Sequence, residues 1–179
     1  ISNKDGVADF YLCSYDSGHH TLNQNKGIKE YRKTSWVRKL LDRGRQESYQ
    51  VTEDRLDSII DEKIDIVKID AEGSEALALE GMDRILRKNK DIKLIVEFFP
   101  LLLKSMGSSP EDFINKILSY GFGIEIIMKD YGAGYVVGAL HSSMWEGIEP
   151  KAAKVDSYSE LMQYLGDKES HLNLFLTRQ

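Results

Sequence analysis

The sequence predicts one three-layer α/β domain, and three observations support this fold class. Two β-branched, apolar runs at 64–70 and 92–99 are typical of buried strands. Residues with helical spacing follow each run, and strands that alternate with helices indicate crossover connections and a mostly parallel sheet. Short strand-like segments near the C-terminus, separated by glycine turns, predict additional antiparallel strands. We therefore expect residues 1–179 to form a single domain.

The composition is that of an acidic globular protein. The chain has 24 Lys+Arg against 29 Asp+Glu, a net charge of −5, and 41% of its residues are hydrophobic. No apolar run approaches the roughly 20 residues that cross a membrane, which argues against a membrane span. The one cysteine, Cys13, cannot form an internal disulfide, so we expect a cytoplasmic protein with a free thiol. Because the chain begins at Ile1 without a methionine, we expect a preceding segment.

The N-terminal quarter is predicted to contain a strand, a polar loop and a basic helix. Residues 7–12 are strand formers after an Asp-Gly turn, and 14–25 are typical of an irregular loop. Apolar residues between 30 and 42 recur at helical spacing, with Gly44 as a stop. Positions 26–45 hold eight basic and two acidic residues, a local charge of +6. This segment either attracts an anionic partner or is the solvated face of a helix.

The remaining elements follow from apolar periodicity and from turn residues. In chain order they are an extended segment at 49–51, a short helix over 56–60 capped by Thr52, the strand at 64–70, a turn at 71–75, one helix over 77–86, the strand at 92–99 ended by Pro100, a helix that starts at Ser109-Pro110, strands at 123–128 and 135–140, a helix over 161–165 capped by Ser157 or Ser159, and a last strand at 172–176. We expect the strands at 123–128 and 135–140 to form a hairpin.

Acidic side chains lie at the ends of both buried strands. Asp70 closes the first strand, Glu72 follows two residues later, and Glu97 lies near the end of the second strand. Ligands of open α/β sheets bind outside the carboxyl ends of the strands, so these carboxylates share one crevice if the strands are neighbours. Such a cluster can hold a divalent cation, accept hydrogen bonds from a substrate hydroxyl, or act as a general base. The spacing does not choose between these roles.

Three further side chains have both a functional and a structural interpretation. Lys68 shares a strand face with Asp70, so it is a candidate site residue or simply the partner in an ion pair. Glu75 suits a helix N-terminus, where acids are favoured. His20, next to His19 in the polar loop, is a candidate base near neutral pH or a solvated residue. The sequence has no motif typical of zinc hydrolases, serine hydrolases or P-loop NTPases.

Three segments at 67–75, 79–81 and 95–97 carry a specific combination of motifs. They contain Lys-hydrophobic-Asp-x-Glu-Gly-x-Glu, then Leu-x-Gly in the next helix, then a strand that ends in Glu. In order and spacing this combination resembles the FkbM family of S-adenosylmethionine-dependent methyltransferases. Residues 2–6 are similar to the family's segment after its third strand, and Leu56-Asp57 to the Leu-Asp before its central motif.

The resemblance implies a Rossmann-like methyltransferase fold and the transfer of a methyl group, mostly to oxygen on sugars, polyketides or other small metabolites. It implies S-adenosylmethionine as cofactor and a small-molecule acceptor as partner, and it does not indicate a nucleic acid. By the same resemblance, Asp70 lies near the transferred methyl group and the acceptor. Glu72 and Glu97 would line the acceptor pocket, and Ser2 and Asn3 would approach the adenine end of the cofactor.

Two features depart from the family pattern. The first strand, with its glycine-rich cofactor turn, and the second strand, with its acidic ribose ligand, would precede Ile1. We therefore expect the domain to be N-terminally incomplete and inactive as this fragment alone. The basic helix at about 29–44 looks like an insertion, and it is a candidate for setting acceptor choice.

Two other functions are compatible with the sequence. One is a divalent-metal-dependent transferase or phosphohydrolase that uses Asp70, Glu72 and Glu97 as metal ligands. The other is a noncatalytic binding module whose basic helix docks an anionic partner.

Overall fold

The computed structural model describes residues 1–12, 22, 47–128, 151–166 and 171–178. The helices and strands of these ranges are, in chain order, β1 (Gly6–Tyr11), β2 (Ser48–Glu53), α1 (Leu56–Ile59), β3 (Ile66–Ile69), α2 (Glu75–Glu80), α3 (Asp83–Lys88), β4 (Lys93–Phe98), α4 (Pro100–Ser105), α5 (Pro110–Ser119), β5 (Phe122–Met128), β6 (Lys151–Val155), α6 (Tyr158–Leu165) and β7 (Leu172–Arg178). In this part of the chain, no helix has the length and apolar character that crossing a membrane requires.

The main sheet has five strands in the order β3-β4-β7-β5-β6. β3 and β4 are parallel, whereas β7 is antiparallel to both β4 and β5, and β6 is antiparallel to β5. The mixed α/β fold and the antiparallel C-terminal strands are confirmed. The prediction of a mostly parallel sheet holds, among the described strand pairs, only for β3 with β4. The reason is that β7 lies between β4 and β5 and separates two strands that run in the same direction.

The centre of the sheet carries the core. On β4, the side chains of Leu94, Val96 and Phe98 are fully buried, and Leu174 and Leu176 of β7 are buried beside them. Because successive side chains of a strand point to opposite faces, Glu97 lies on the other face of β4 from this apolar row. The core therefore fixes the direction in which Glu97 projects.

β3 forms an edge of this sheet and is shorter than the predicted strand. Its register with β4 pairs Ile66 with Lys93 and Ile69 with Val96. Ile69 is buried, but Ile66 is 56% exposed. The prediction of a strand is confirmed, whereas the prediction that it is buried along its length is wrong. β-branched composition indicates an extended chain, but it does not report where in a sheet the strand lies.

A separate two-stranded sheet pairs β1 with β2 in antiparallel register, from Gly6 with Glu53 to Tyr11 with Ser48. Thr52 lies inside β2, opposite Val7, so the prediction that it caps α1 is wrong. Arg55 stands at the start of α1 and makes no side-chain cap there. A β-branched threonine suits a strand as well as a cap, and pairing with β1 decides its conformation here.

The predicted helix over 77–86 is two helices, α2 and α3, separated at Gly81. Asp57 provides a new start for α3, because the backbone N–H groups of Arg84 and Ile85 donate to its carboxylate at 2.9 and 3.0 Å. The N-terminal strand region packs against the break: a Cβ on Gly81 would lie 2.0 Å from the carbonyl oxygen of Ser2. Tertiary contacts therefore interrupt a continuous helical pattern.

Two predicted helix caps are confirmed. Ser109 accepts a hydrogen bond from the Asp112 backbone N–H at the start of α5, and Ser157 accepts one from that of Glu160 at the start of α6. The sequence did not predict α4, which starts at Pro100. Pro100 was interpreted only as the end of a strand, although a proline also suits the first turn of a helix.

The partner predicted for the strand at 123–128 is not the observed one. β5 pairs with β6 along one edge and with β7 along the other. The predicted partner segment 135–140 lies outside the described residues. So do most of the polar loop at 14–25, with His19 and His20, and the basic helix at about 29–44.

Candidate functional site

Three carboxylates come together where β3 and β4 end. Asp70 directly follows β3, Glu72 lies in the next turn, and Glu97 is the next-to-last residue of β4. One carboxylate oxygen from each lies within 4.8 Å of the other two. β3 and β4 are parallel neighbours in register, so their carboxyl ends meet at one edge of the sheet. The structure thus brings together the three acids that the sequence singles out.

A left-handed turn directs Glu72 into this cluster. Glu72 has a φ of 49° and Gly73 a φ of 96°. Left-handed backbone is uncommon for a residue with a side chain, so neighbouring structure must hold it. A Cβ on Gly73 would lie 2.7 Å from the carbonyl oxygen of Leu102, because α4 packs directly against the turn. Glycine at position 73 is therefore required both by conformation and by space.

Glu75 braces the same turn from inside the protein. Its Oε1 accepts hydrogen bonds from the backbone N–H groups of Ala71 at 2.9 Å and Gly73 at 3.2 Å. The residue is 1% exposed, and its Oε2 has no hydrogen-bond partner among the described residues. Burial raises the pKa of the Glu75 carboxyl, and the negative charge of Asp70 adds to this, although the backbone hydrogen bonds oppose it. Glu75 was predicted only as an acid favoured at a helix N-terminus, and its hydrogen bonds to the Ala71 and Gly73 backbone were not predicted.

Lys68 forms an ion pair with Asp70, which was one of the two interpretations of Lys68 from the sequence. Its Nζ lies 2.5 Å from Asp70 Oδ2, and the two side chains are 62% and 42% exposed. A partly exposed ammonium group therefore restrains the Asp70 carboxylate at the mouth of the cluster. The predicted role of Lys68 in catalysis stays a prediction.

His171, which the sequence analysis did not single out, lies beside Glu97. Its Nε2 is 3.7 Å from Glu97 Oε1, and its ring centroid is 5.8 Å from that of Phe99. It directly precedes β7, whose register places Asn173 opposite Glu97 on β4. A histidine next to a strand signal was visible in the sequence, but its proximity to Glu97 depends on the strand order. His20, the histidine that was predicted as a site residue, lies outside the described residues.

Ser2 and Asn3 lie away from the carboxylates, at the other end of α2. Ser2 is buried against Gly81, and Asn3 donates from Nδ2 to Glu80 Oε2 at 2.9 Å. The acidic cluster adjoins the opposite end of this helix, where Glu75 begins it. Six helical residues span about 9 Å. The structure therefore does not bring Ser2 and Asn3 into the cluster, and their contact with a cofactor stays a prediction.

A family model, the methyltransferase FkbM domain, matches residues 1–124 of the 179. The chain belongs to the FkbM methyltransferase family. No curated protein and no solved structure matches it. The matched region includes the three carboxylates and ends within β5, so α6, β7 and His171 lie beyond it. Membership supports methyl transfer as the general activity.

The side chains of the cluster are of a type that suits particular ligands. Among the described residues, Lys68 pairs with Asp70, and His171 lies beside Glu97. Carboxylate oxygens accept hydrogen bonds from hydroxyl groups, and they also ligate hard divalent cations. Carboxylates also suit a positively charged group such as a sulfonium. The residues present therefore fit both an acceptor hydroxyl and the reactive end of S-adenosylmethionine.

Proposed function

We propose that this FkbM domain belongs to an S-adenosylmethionine-dependent O-methyltransferase that acts on a hydroxyl group of a sugar or another small metabolite. The observation that carries the proposal is the convergence of Asp70, Glu72 and Glu97 at the ends of two parallel strands. S-adenosylmethionine, when bound, supplies an activated methyl group on a cationic sulfur. We also propose a cytoplasmic location, because a chain with a single cysteine has no internal disulfide of the kind found in oxidising compartments.

We also propose that the fold is the Rossmann-like arrangement of the family, of which the described strands are a part. β3 and β4 are parallel, and α2 and α3 connect them as a crossover unit. Parallel strands with a helical crossover are the repeating unit of such sheets. In that arrangement, substrates lie at the carboxyl ends of the strands, which is where the acidic cluster is.

In this proposal the acids position the acceptor. Asp70 accepts a hydrogen bond from the reacting hydroxyl and helps to remove its proton, while Lys68 restrains the Asp70 carboxylate. Glu72 and Glu97 line the acceptor pocket and bind neighbouring hydroxyl groups. Holding two reactants in line removes much of the entropic barrier of a displacement reaction, so positioning is the main task of these side chains.

A second candidate function rests on the same oxygen atoms. A divalent-metal-dependent transferase or phosphohydrolase would use Asp70, Glu72 and Glu97 as ligands. A cation held there would lower the pKa of a bound hydroxyl, so it is also compatible with methyl transfer. The ammonium group of Lys68 already pairs with Asp70, which favours a site that works without the ion.

Calorimetry on the complete protein separates the two candidates. We expect S-adenosylmethionine to bind in the absence of Mg²⁺ and Mn²⁺, and tritium from its methyl group to appear in one or more members of a panel of monosaccharides and polyols. Binding of Mg²⁺ or Mn²⁺ together with hydrolysis of a phosphate ester, and no binding of S-adenosylmethionine, would favour the second candidate instead.

A further inference from the structure

The position of His171 follows from the insertion of β7 into the sheet. β7 pairs with β4 so that Leu172 lies opposite Phe98 and Asn173 opposite Glu97. The residue before this strand therefore reaches the carboxyl end of β4, where the acidic cluster lies. The ring of Phe99 lies 5.8 Å from the imidazole at an angle of 41°, which helps to hold the imidazole there.

The imidazole joins the cluster through Glu97. Nε2 of His171 lies 3.7 Å from Glu97 Oε1, and that carboxylate lies within 4.8 Å of the carboxylates of Asp70 and Glu72. The Glu97 side chain is 16% exposed, whereas that of His171 is 50% exposed. The imidazole is thus at the rim of the site, where a ligand held by the carboxylates can reach it.

An imidazole adds a chemical function that the three carboxylates lack. Ionised carboxylates accept hydrogen bonds from a hydroxyl group but donate none. A neutral imidazole has one ring nitrogen that accepts and one N–H that donates, and it commonly serves as a general base. His171 is the only histidine in the part of the chain that the structure describes.

We propose that His171 is a catalytic residue that receives the proton of the acceptor hydroxyl, with Glu97 beside it to stabilise the resulting imidazolium. The inference rests on the proposed methyl transfer. As the hydroxyl oxygen forms its bond to the methyl carbon, its proton passes to the imidazole, and the electron pair of the broken carbon–sulfur bond stays on sulfur. Asp70 orients the hydroxyl in this scheme and is not the final proton acceptor.

Chemical rescue tests the role of His171 in the complete protein. The readout is tritium transfer from S-adenosylmethionine to a panel of monosaccharides and polyols. We expect His171→Ala and His171→Gln to lower kcat by more than about 100-fold, with little change in the KM for S-adenosylmethionine. Added imidazole should restore part of the kcat of His171→Ala, because it can fill the vacated space, and should not restore that of His171→Gln. Thr177→Ala, on the same strand, is the matched control and should keep its turnover.

The outcomes separate this inference from the proposed function. Turnover of both His171 variants within about 3-fold of the unmodified protein would overturn the role of His171 and leave methyl transfer standing. A loss of kcat that imidazole does not relieve in His171→Ala would do the same, because it would indicate a structural role. If the unmodified protein neither binds S-adenosylmethionine nor transfers its methyl group, the proposed function fails, and the inference fails with it.

Discussion

The Nζ atom of Lys68 lies 2.5 Å from Oδ2 of Asp70, across one intervening residue at the end of β3. Both side chains are substantially exposed, and ion pairs of this kind contribute about 0 to 1 kcal/mol to stability. The contact therefore matters less for the fold than for the orientation of the Asp70 carboxylate.

Replacement of Asp70 tests the acidic cluster directly. We expect Asp70→Asn in the complete enzyme to lower turnover by more than about 100-fold, because a neutral amide orients the reacting hydroxyl less strongly than a carboxylate and binds Lys68 more weakly. The fold should be unaffected, since the side chain is partly exposed. Tritium transfer from S-adenosylmethionine is the measurement, and the matched control is Asp65→Asn, whose carboxylate is 83% exposed. Unchanged turnover in Asp70→Asn would remove this residue from the mechanism.

Glu75 should make the stability of the protein decrease as the pH rises. Its carboxyl has a raised pKa in the folded state because it is buried, so its contribution is fully present below the ordinary value of 4.5 and is lost as the pH passes the raised value. Glu75→Gln keeps an oxygen for the Ala71 and Gly73 N–H groups and cannot ionise. We therefore expect the free energy of unfolding of this variant to fall less between pH 4 and pH 8 than that of the unmodified protein.

Urea denaturation at several pH values measures this difference. Glu111→Gln, at an exposed position in the first turn of α5, is the matched control and should keep the original pH dependence. Equal pH dependence in Glu75→Gln and the unmodified protein would contradict the assignment of Glu75 as a buried carboxyl with a raised pKa.

Gly81 should tolerate no side chain. A Cβ there would lie 2.0 Å from the Ser2 carbonyl oxygen, and backbone cannot move as easily as a flexible side chain. We expect Gly81→Ala to lower the free energy of unfolding by about 2 kcal/mol or more, through overpacking. Gly6→Ala is the control, since its nearest neighbour would be a side-chain oxygen of Glu53 at 3.7 Å. Similar urea midpoints for the two variants would show that the Ser2 segment adjusts freely.

Arg178 should be a major determinant of stability near the C-terminus. Its guanidinium donates to the carbonyl oxygens of Tyr120, Asn89 and Leu86, close to the ends of α5 and α3, and lies 4.5 Å from the ring centroid of Phe122. Lysine cannot reproduce this three-way contact. We expect Arg178→Lys to cost roughly 1.5 to 3 kcal/mol in urea denaturation.

The control for Arg178 is an arginine whose contacts are at the surface. Arg87 pairs with Asp83 and is 68% exposed, so Arg87→Lys should change the free energy of unfolding by less than about 1 kcal/mol. Equal losses of unfolding free energy in Arg178→Lys and Arg87→Lys would show that the three carbonyl contacts of Arg178 stabilise the protein no more than a surface ion pair does.

Local features of the fold could be predicted because local physics determines them. β4 needs apolar residues at every buried position, and the run at 92–99 supplies them. Ser109 and Ser157 cap their helices through contacts within three residues. Strand order is different, because it depends on packing between segments distant in sequence. The weakly β-forming residues of β6 gave no signal, and nothing local places β7 between β4 and β5.

The same distinction applies to the candidate site. Asp70, Glu72 and Glu97 were predictable because each lies in or next to a strong strand signal, and a general rule places ligands at strand ends. Glu75 was identified only as a helix-start acid, since its bonds to the preceding turn depend on the left-handed backbone of Glu72. His171 was missed because its distance from Glu97 follows from the strand order.

The insertion of β7 between β4 and β5 also sets when the sheet can be completed during synthesis on the ribosome. β4 and β5 reach each other only through a strand that is translated after both of them. One edge of β4 and one edge of β5 therefore lack their native partner until residues 172–178 have left the exit tunnel. A chaperone that binds extended apolar segments would act in that interval, and stalling before position 172 would leave a species prone to aggregate.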